Sequence, residues 1–313
     1  MNKNTKLQFA TTETVSSNYA GEAASRFFSA VLLSPTSIAN GGVEMVDGIQ
    51  YKWNIPRLNL SGLVADATCD FTPVGTVTRN ERVLTLEDFE VNLALCKSKY
   101  RPTFDKMGGS RHNGLASEFA NHLIELVAAN VAQSRETVMW SGVNATAGEF
   151  DGFETIFTNE ALQPAGYEIA GTTLSAANII AELGKIRDAA SSALYDSEGF
   201  AIRIPTSARK FYISAMAALG YMDKFHDGEA PLNFEGVPLI HCAGMSDDVM
   251  FATYDNNLYY GVGSAGDAQR VDAIDQSPLD GSDNVNVVMK WGDGAQVANP
   301  EDVITYGITN TGN

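Results

Sequence analysis

Three sets of residues in this chain have the types and spacing that chemistry asks for. The first is Gly261, Gly263 and Gly266 in YYGVGSAGDAQRVD, a literal G-x-G-x-x-G. In a dinucleotide site such glycines lie between a strand and a helix whose N-terminus meets the pyrophosphate. A strand-like stretch precedes them here, but DAQRVDAIDQSPLDG follows, strand-like and then turn-rich, with no amphipathic helix. The triplet therefore reads as a bend between strands. The second set is His112, His122, His226 and His241 with Cys69, Cys96 and Cys242. No C-x-x-C or H-E-x-x-H spacing occurs, and strand alternation sends His241 and Cys242 to opposite faces, so no zinc site is expected. His122 falls in a helical apolar stripe and reads as a core histidine. Cys69 and Cys242 read as small buried hydrophobes in strands. The third set is carboxylates, Asp247–Asp248 and Asp280–Asp283, in Gly/Ser-rich turns where Asp accepts backbone hydrogen bonds. DQSPLDGSDN suggests a calcium loop but has Asn286 where the bidentate Glu is needed. The expectation is that the chain has no catalytic, cofactor-binding or metal-ligating residue, needs no cofactor, and is not an enzyme.

Composition narrows the classes further. The chain has 313 residues, 44% of them apolar, and a net charge of −17 from 38 acidic and 21 basic residues. Nucleic-acid affinity comes mainly from Lys and Arg on phosphates, so a broad DNA- or RNA-gripping face is excluded. An acidic chain suits a soluble protein at high concentration, or the wall of a container whose DNA must not stick. Three widely spaced cysteines fit a reducing compartment rather than a disulfide framework. No apolar run reaches the roughly 20 residues of a membrane span, and the polar N-terminus lacks a signal-peptide core. The sequons at Asn59 and Asn144 carry no meaning in a cytosolic protein.

The elements that must position these residues change character along the chain. Residues 1–33 read as a polar extended arm with a short helix capped by Asn18. YKWNIPRLNL alternates, with Trp53 and Ile55 on one face and Pro56 demoting it to an edge. DFEVNLALC places Phe89, Val91, Leu93 and Leu95 on one face. The polar excursion between them, with a turn at Pro73–Gly75, predicts a long projecting loop. GLASEFANHLIELVAANVAQSRETVMWSG is helical, its stripe formed by Leu115, Phe119, His122, Leu123, Leu126, Val127, Asn130 and Val138, over roughly 40 Å. EFDGFETIF reads as a turn and short strand. A helix capped by Ser175, running through Leu194 with Ile179, Ile180, Leu183 and Ile186 inward, begins an alternating α/β part. It continues with strand FAIRIP, a helix closed by Gly220, and strands VPLIHC, VMFATY and LYYGV. The β-rich tail has QRVDAID and NVNVVMKW, then a turn at Gly292–Gly294 and a returning strand. An arm, a projecting loop and a long helix on an α/β body leave much surface uncovered, as in a building block.

That order of elements resembles the major capsid protein of tailed bacteriophages, the Hong Kong 97-like capsid fold, over nearly the whole chain. The resemblance rests on the arm, the loop at 56–90 and the helix near 114–140. It continues through EFDGFETIF, IIAELGKIRDA, IRIPTSARKFYISAM, FEGVPLIHCAGMSDDVMFATYDNNLYYGV and VMKWGDGAQVANPEDVITY. It implies an α+β fold with an N-terminal arm (1–33), an extended-loop region (34–110, its β-hairpin loop at 56–90), and a peripheral domain with a long spine helix (111–171). An axial α/β domain (172–267) and return strands of the peripheral domain (268–313) complete it. The loop DKFHDGEAPLNFEG would meet its copies at the centre of pentamers and hexamers. The resemblance implies an icosahedral shell around double-stranded DNA, held without sequence-specific contacts. Its partners would be the chain itself, a portal, and separate scaffolding or decoration proteins. No membrane is involved, and the protein would be found in the virion after assembly in the bacterial cytoplasm. The arm begins almost at Met1, so any scaffolding is expected to be a separate chain. Some relatives join subunits through a Lys on the loop; between Trp53 and Cys96 this chain has no Lys, only Arg57, Arg79 and Arg82, so no such cross-link is expected. Arg79 and Arg82 are the expected intersubunit ion-pair partners. Alternatives are an encapsulin-like nanocompartment with protein cargo, a soluble α/β nucleotide-binding enzyme using the glycine loop, and, more weakly, another virion component.

Overall fold

The computed structural model describes residues 36–67, 69, 73–96, 117–160, 162–220, 232–263 and 271–311. The arm, its short helix, the loop at 221–231, Gly266, and the side chains of His112, Phe119, His122 and His226 lie outside the described residues. In chain order the elements are β1 (Glu44–Val46), β2 (Lys52–Ser61), β3 (Thr76–Thr85), β4 (Glu87–Cys96), α1 (Ser117–Ser141), α2 (Phe153–Asn159), β5 (Glu168–Ile169), α3 (Ile179–Ala189) and α4 (Ser192–Tyr195). They continue as β6 (Ala201–Ile204), α5 (Thr206–Ala218), β7 (Asn233–Phe234), β8 (Val237–His241), β9 (Met250–Thr253) and β10 (Leu258–Val262). The last are β11 (Val271–Asp275), α6 (Ser277–Asp280), β12 (Asn284–Val297), a 3-10 turn Pro300–Asp302 and β13 (Ile304–Tyr306).

The described residues divide into two compact units, one of 90–96, 117–130 and 271–290, the other of the remaining described residues. In the first, β11 pairs antiparallel with the N-terminal half of β12, Val271 opposite Met289 and Asp275 opposite Val285. Alternate residues of that half, Val285, Val287 and Met289, are buried, as period-2 patterning requires. The first turns of α1 bury Leu123 and Val127. Asn130 is exposed and donates its side-chain amide to the Leu126 carbonyl, so it stands off the apolar stripe assigned to it.

In the second unit a six-stranded sheet runs in the order β5-β13-β9-β6-β8-β7. β6 and β8 are parallel, and α5 supplies the crossover that parallel neighbours need. Ile179, Leu183 and Ile186 on α3 and Ala208 and Tyr212 on α5 pack with Ile202, Ile204, Leu239 and Ile304 of the sheet. Each large side chain so buried contributes about 1.5–3 kcal/mol. A second core gathers Trp140, Phe153, Phe157 and Phe251, with Trp140 and Phe153 centroids 5.2 Å apart.

Four expectations need correction. EFDGFETIF is a helix: Phe153, Ile156 and Phe157 are buried at the i, i+3, i+4 spacing that selects helix over strand. The helix expected from Ser175 to Leu194 stops at Ala189. Asn178 stands at its N-cap position, and the Ser191 hydroxyl accepts from the Leu194 amide to start α4. Gly292–Gly294 is no turn but the middle of the 14-residue β12. Cys69 is exposed and outside any strand, whereas Cys242 is buried as expected, its thiol pushed up to about 12 by that burial.

Candidate assembly interface, a hairpin and its root

The projecting loop is a hairpin. β2 pairs with β3 from Lys52↔Thr85 to Ser61↔Thr76. The partner is therefore TVTRNERVLT, inside the stretch read as a polar excursion, and not the β4 strand. Both strands are edges, which is why Pro56 sits in the ladder opposite Glu81 without breaking it.

Register divides the hairpin into two faces, because directly paired residues share a side. One face has Trp53, Ile55 and Arg57 across from Leu84, Arg82 and Asn80, and continues with Asn59 and Ser61 across from Thr78 and Thr76. Its root half is apolar and packs on the body; its far half is polar. The other face has Pro56, Leu58 and Leu60 across from Glu81, Arg79 and Val77, with Val83 nearer the root. Every described residue from Leu58 to Glu81 is exposed. Leu58, Leu60 and Val77 are 61%, 50% and 59% exposed, an apolar stripe left bare among the described residues.

The root accounts for Gly261, the first glycine of the triplet, which lies inside β10 and not at the bend expected of it. Gly261 on β10 lies directly opposite Gly294 on β12. A Cβ on Gly261 would stand 2.5 Å from the Leu84 side chain and 2.8 Å from that of Ile49. A Cβ on Gly294 would meet the Thr85 carbonyl. The glycines clear a seat for fully buried Leu84, which packs with Ile49 and Leu86 beside Trp53 and Tyr259. Trp53 meets Tyr259 edge-on with centroids 5.1 Å apart. After Gly263 the next described element is the strand β11, not a phosphate-binding helix.

Two arginines flank this seat. Arg57 on β2 donates from Nη2 to Glu301 Oε2 at 2.5 Å. Arg82 on β3 donates to Glu160 Oε2 at 2.7 Å and, through Nη2 and Nε, to Gln296 Oε1 at 2.8 and 3.2 Å. Gln296 Nε2 donates in turn to the Val83 carbonyl at 3.0 Å. Arg82 is thus committed within its own chain, which corrects its assignment to a neighbour. Arg79 is exposed on the outer face.

Beneath the hairpin root, Asp293 on β12 receives a bidentate pair from Arg135 on α1, at 2.7 and 2.8 Å, and Arg135 Nε also reaches the Tyr260 hydroxyl at 3.0 Å. Burial pushes the Asp293 carboxyl above its ordinary range, although Arg135 pulls the other way. The segment following the arm has a polar seat of its own. Glu136 Oε1 accepts from the Ser37 amide at 3.0 Å and its hydroxyl at 2.6 Å, and Trp140 Nε1 donates to that hydroxyl. Arg203, buried in β6, donates to the Gly42 carbonyl at 2.9 Å and the Thr253 carbonyl at 2.5 Å. These groups satisfy one another and position backbone in the interior. Among the described residues no group of three or more His, Cys, Asp or Glu is arranged to hold a metal, and no helix is long and apolar enough to cross a membrane.

No protein-family model and no characterised protein sequence matches the chain. Solved structures do. The capsid of Myoviridae phage XM1 superposes with a TM-score of 0.60 at 11% identity, covering 92% of this chain and 96% of that one. The capsid of a native GTA particle gives 0.57 at 11% identity over 97% of both chains. A structure from Mycobacterium phage Bobi gives 0.58 at 14% identity over 92% and 94%. The fold is that of phage capsid proteins. The match is end to end, as the sequence resemblance implied, and the capsid fold here is a mixed α+β one.

Sequence reading missed the gripping residues of this capsid fold, Arg57 with Glu301 and Arg82 with Glu160 and Gln296, because ion pairs far apart in sequence leave no local pattern. It also missed β3. The signal was there: Val77 and Val83 alternate in phase with Arg79 and Glu81, while Thr78, Asn80 and Arg82 alternate against them.

Proposed function

We propose that this chain is the major capsid protein of a tailed bacteriophage, assembling through pentamers and hexamers into an icosahedral shell around double-stranded DNA. The observation that carries the reading is the end-to-end likeness to a phage capsid, over 92% of this chain and 96% of that one. The bare apolar stripe of the hairpin supports it, since such a surface is one that another molecule covers. In this reading residues 1–33 are the arm, 56–90 the loop reaching a neighbour, 111–171 and 268–313 the peripheral domain, and 172–267 the axial domain. Many modest contacts between copies add up through avidity. The net charge of −17 keeps packaged DNA from adhering to the wall. A portal and separate scaffolding or decoration proteins would be further partners, and the protein would reside in the virion after assembly in the host cytoplasm.

Electron microscopy of the purified protein tests this directly. Closed particles of uniform diameter, protecting double-stranded DNA when isolated from lysate, are expected. Particles filled with protein cargo and free of nucleic acid would assign the chain to nanocompartments instead. A stable monomer binding a nucleotide would overturn the shell reading.

A further inference from the structure

The hairpin is joined to its body by contacts of two kinds. Around Leu84, Ile49 and Leu86 the contact is apolar, and apolar contact is non-directional. It holds the root down without dictating the angle at which the strands leave. Direction comes from two polar grips, one per strand. Arg57 fastens β2 to Glu301 in the 3-10 turn, and Arg82 fastens β3 to Glu160 beyond α2 and to Gln296 on β12. The two lie on the same face of the hairpin, one pair apart, because Ile55↔Arg82 and Arg57↔Asn80 are successive same-face pairs. Beyond them the ladder continues four residues to Ser61 with every residue exposed, about 13 Å of lever at strand rise. Among the described residues, these grips, the bond from Gln296 to the Val83 carbonyl and the apolar root are what restrain that lever.

We propose that Arg57 and Arg82 are positioning residues whose ionic grips aim the hairpin, so that its bare apolar stripe is held ready for a second copy of the chain. This rests on the reading of the chain as a shell protein. Both grips are partly open to solvent: the arginine side chains are 22% and 18% exposed and their glutamates 52% and 43%. Pairs so placed are screened by salt. Hairpin aim, and assembly with it, is therefore sensitive to ionic strength through contacts inside one subunit, with no charge pair across the interface required. Gln296 ties the second grip to the strand backbone, since it accepts from Arg82 and donates to the Val83 carbonyl.

The test measures aim and assembly separately. Spin labels at Ser61→Cys on the hairpin and Glu198→Cys on the body, in a chain carrying Cys69→Ser and Cys96→Ser, report the distance between them in unassembled protein. The native arginines should give one narrow distribution. Arg57→Gln with Arg82→Gln should broaden it at least two-fold, as should molar salt, and should lower the yield of closed particles about ten-fold. Circular dichroism and the thermal midpoint should stay near those of the parent. The exchange Arg57→Glu with Glu301→Arg, beside native Arg82, should restore both distance and yield. An unchanged distribution overturns the proposal, whatever happens to assembly. Lost assembly that the exchange fails to restore also overturns it, and assigns the arginines to contacts with the neighbour. If the parent forms no particles, the shell reading fails, while the distance distribution still decides what the two grips do.

Discussion

The six-stranded sheet with α3 and α5, and the two-stranded hairpin, are built from the same kinds of residue and treat them in opposite ways. In the sheet, β6, β9 and β13 bury every residue, and the helices cover Ile202, Ile204 and Ile304 with Leu183 and Ile186. In the hairpin, Leu58, Leu60 and Val77 stand in solvent. A strand pair alone is marginal in water, so the hairpin takes its order from its seat on Gly261 and Gly294 and offers the rest of its surface outward. One region spends its apolar side chains on its own stability; in the proposed reading the other would hold them for association. Substitutions should therefore sort by region.

The largest effect on the fold is expected in the sheet. Leu183→Ala removes a fully buried side chain between α3 and the strands and should cost about 2–5 kcal/mol in urea unfolding. A value below 1 kcal/mol would mean that this core is far looser than its burial indicates.

Next comes the seat that joins hairpin to body. Gly261→Val places side-chain atoms where Leu84 and Ile49 already sit and should cost about 1–3 kcal/mol by overpacking. It should also shift tryptophan fluorescence, because Trp53 would lose its edge-on contact with Tyr259. A nucleotide-binding glycine loop would instead lose ligand affinity and leave Trp53 undisturbed.

The two regions also differ in their response to acid. In the helix–sheet body, burial raises the Glu182 carboxyl, but hydrogen bonds from Lys185 and Tyr306 and the Lys185 charge outweigh it and leave Glu182 below its ordinary value. Its stabilisation is present above the unfolded value near 4.3 and lost as pH falls through the lower folded value. Under the hairpin root, Asp293 is shifted upward by burial. Its contribution is full below the unfolded value near 3.9 and is lost as pH rises through the raised folded value. Unfolding curves between pH 3 and 7 check this. Glu182→Gln should flatten the acid limb, and Asp293→Asn should remove a loss on the neutral side. Identical pH profiles for the two variants would contradict the assignment.

What the sequence made legible follows the same division. Strands and helices whose pattern is set by their own core were readable. Phe89, Val91, Leu93 and Leu95 alternate as expected, and Ile179, Leu183 and Ile186 face inward. So were the boundaries set by local chemistry, such as the close of α5 before Gly220 at φ +89°. What escaped was decided by distant residues. Gly292–Gly294 has turn composition, but β10 supplies a partner strand and Leu84 needs the space above it, so the chain runs straight through. β3 looked like polar loop because half of its alternation is apolar residues that this chain does not bury. Tertiary contact overrides local propensity in both places. In the proposed shell reading, the contact that would make sense of the hairpin's pattern would lie on another molecule.

That last point gives the smallest expected effect on the fold. Changing Leu58, Leu60 and Val77 together to Ser alters three exposed side chains that the chain does not cover, and Ser keeps the strand ladder intact. Surface changes of this kind usually fall within about 0.5 kcal/mol each, so urea unfolding of the monomer should barely move. Assembly should fail, because covering this stripe is what a neighbour would gain. The same count of substitutions on the opposite, polar face, Asn59, Thr76 and Thr78 to Ser, controls for hairpin stiffness and should leave assembly intact. If the apolar triple still closes into particles as the parent does, the stripe is not an interface, and the contrast between the two regions loses its functional half.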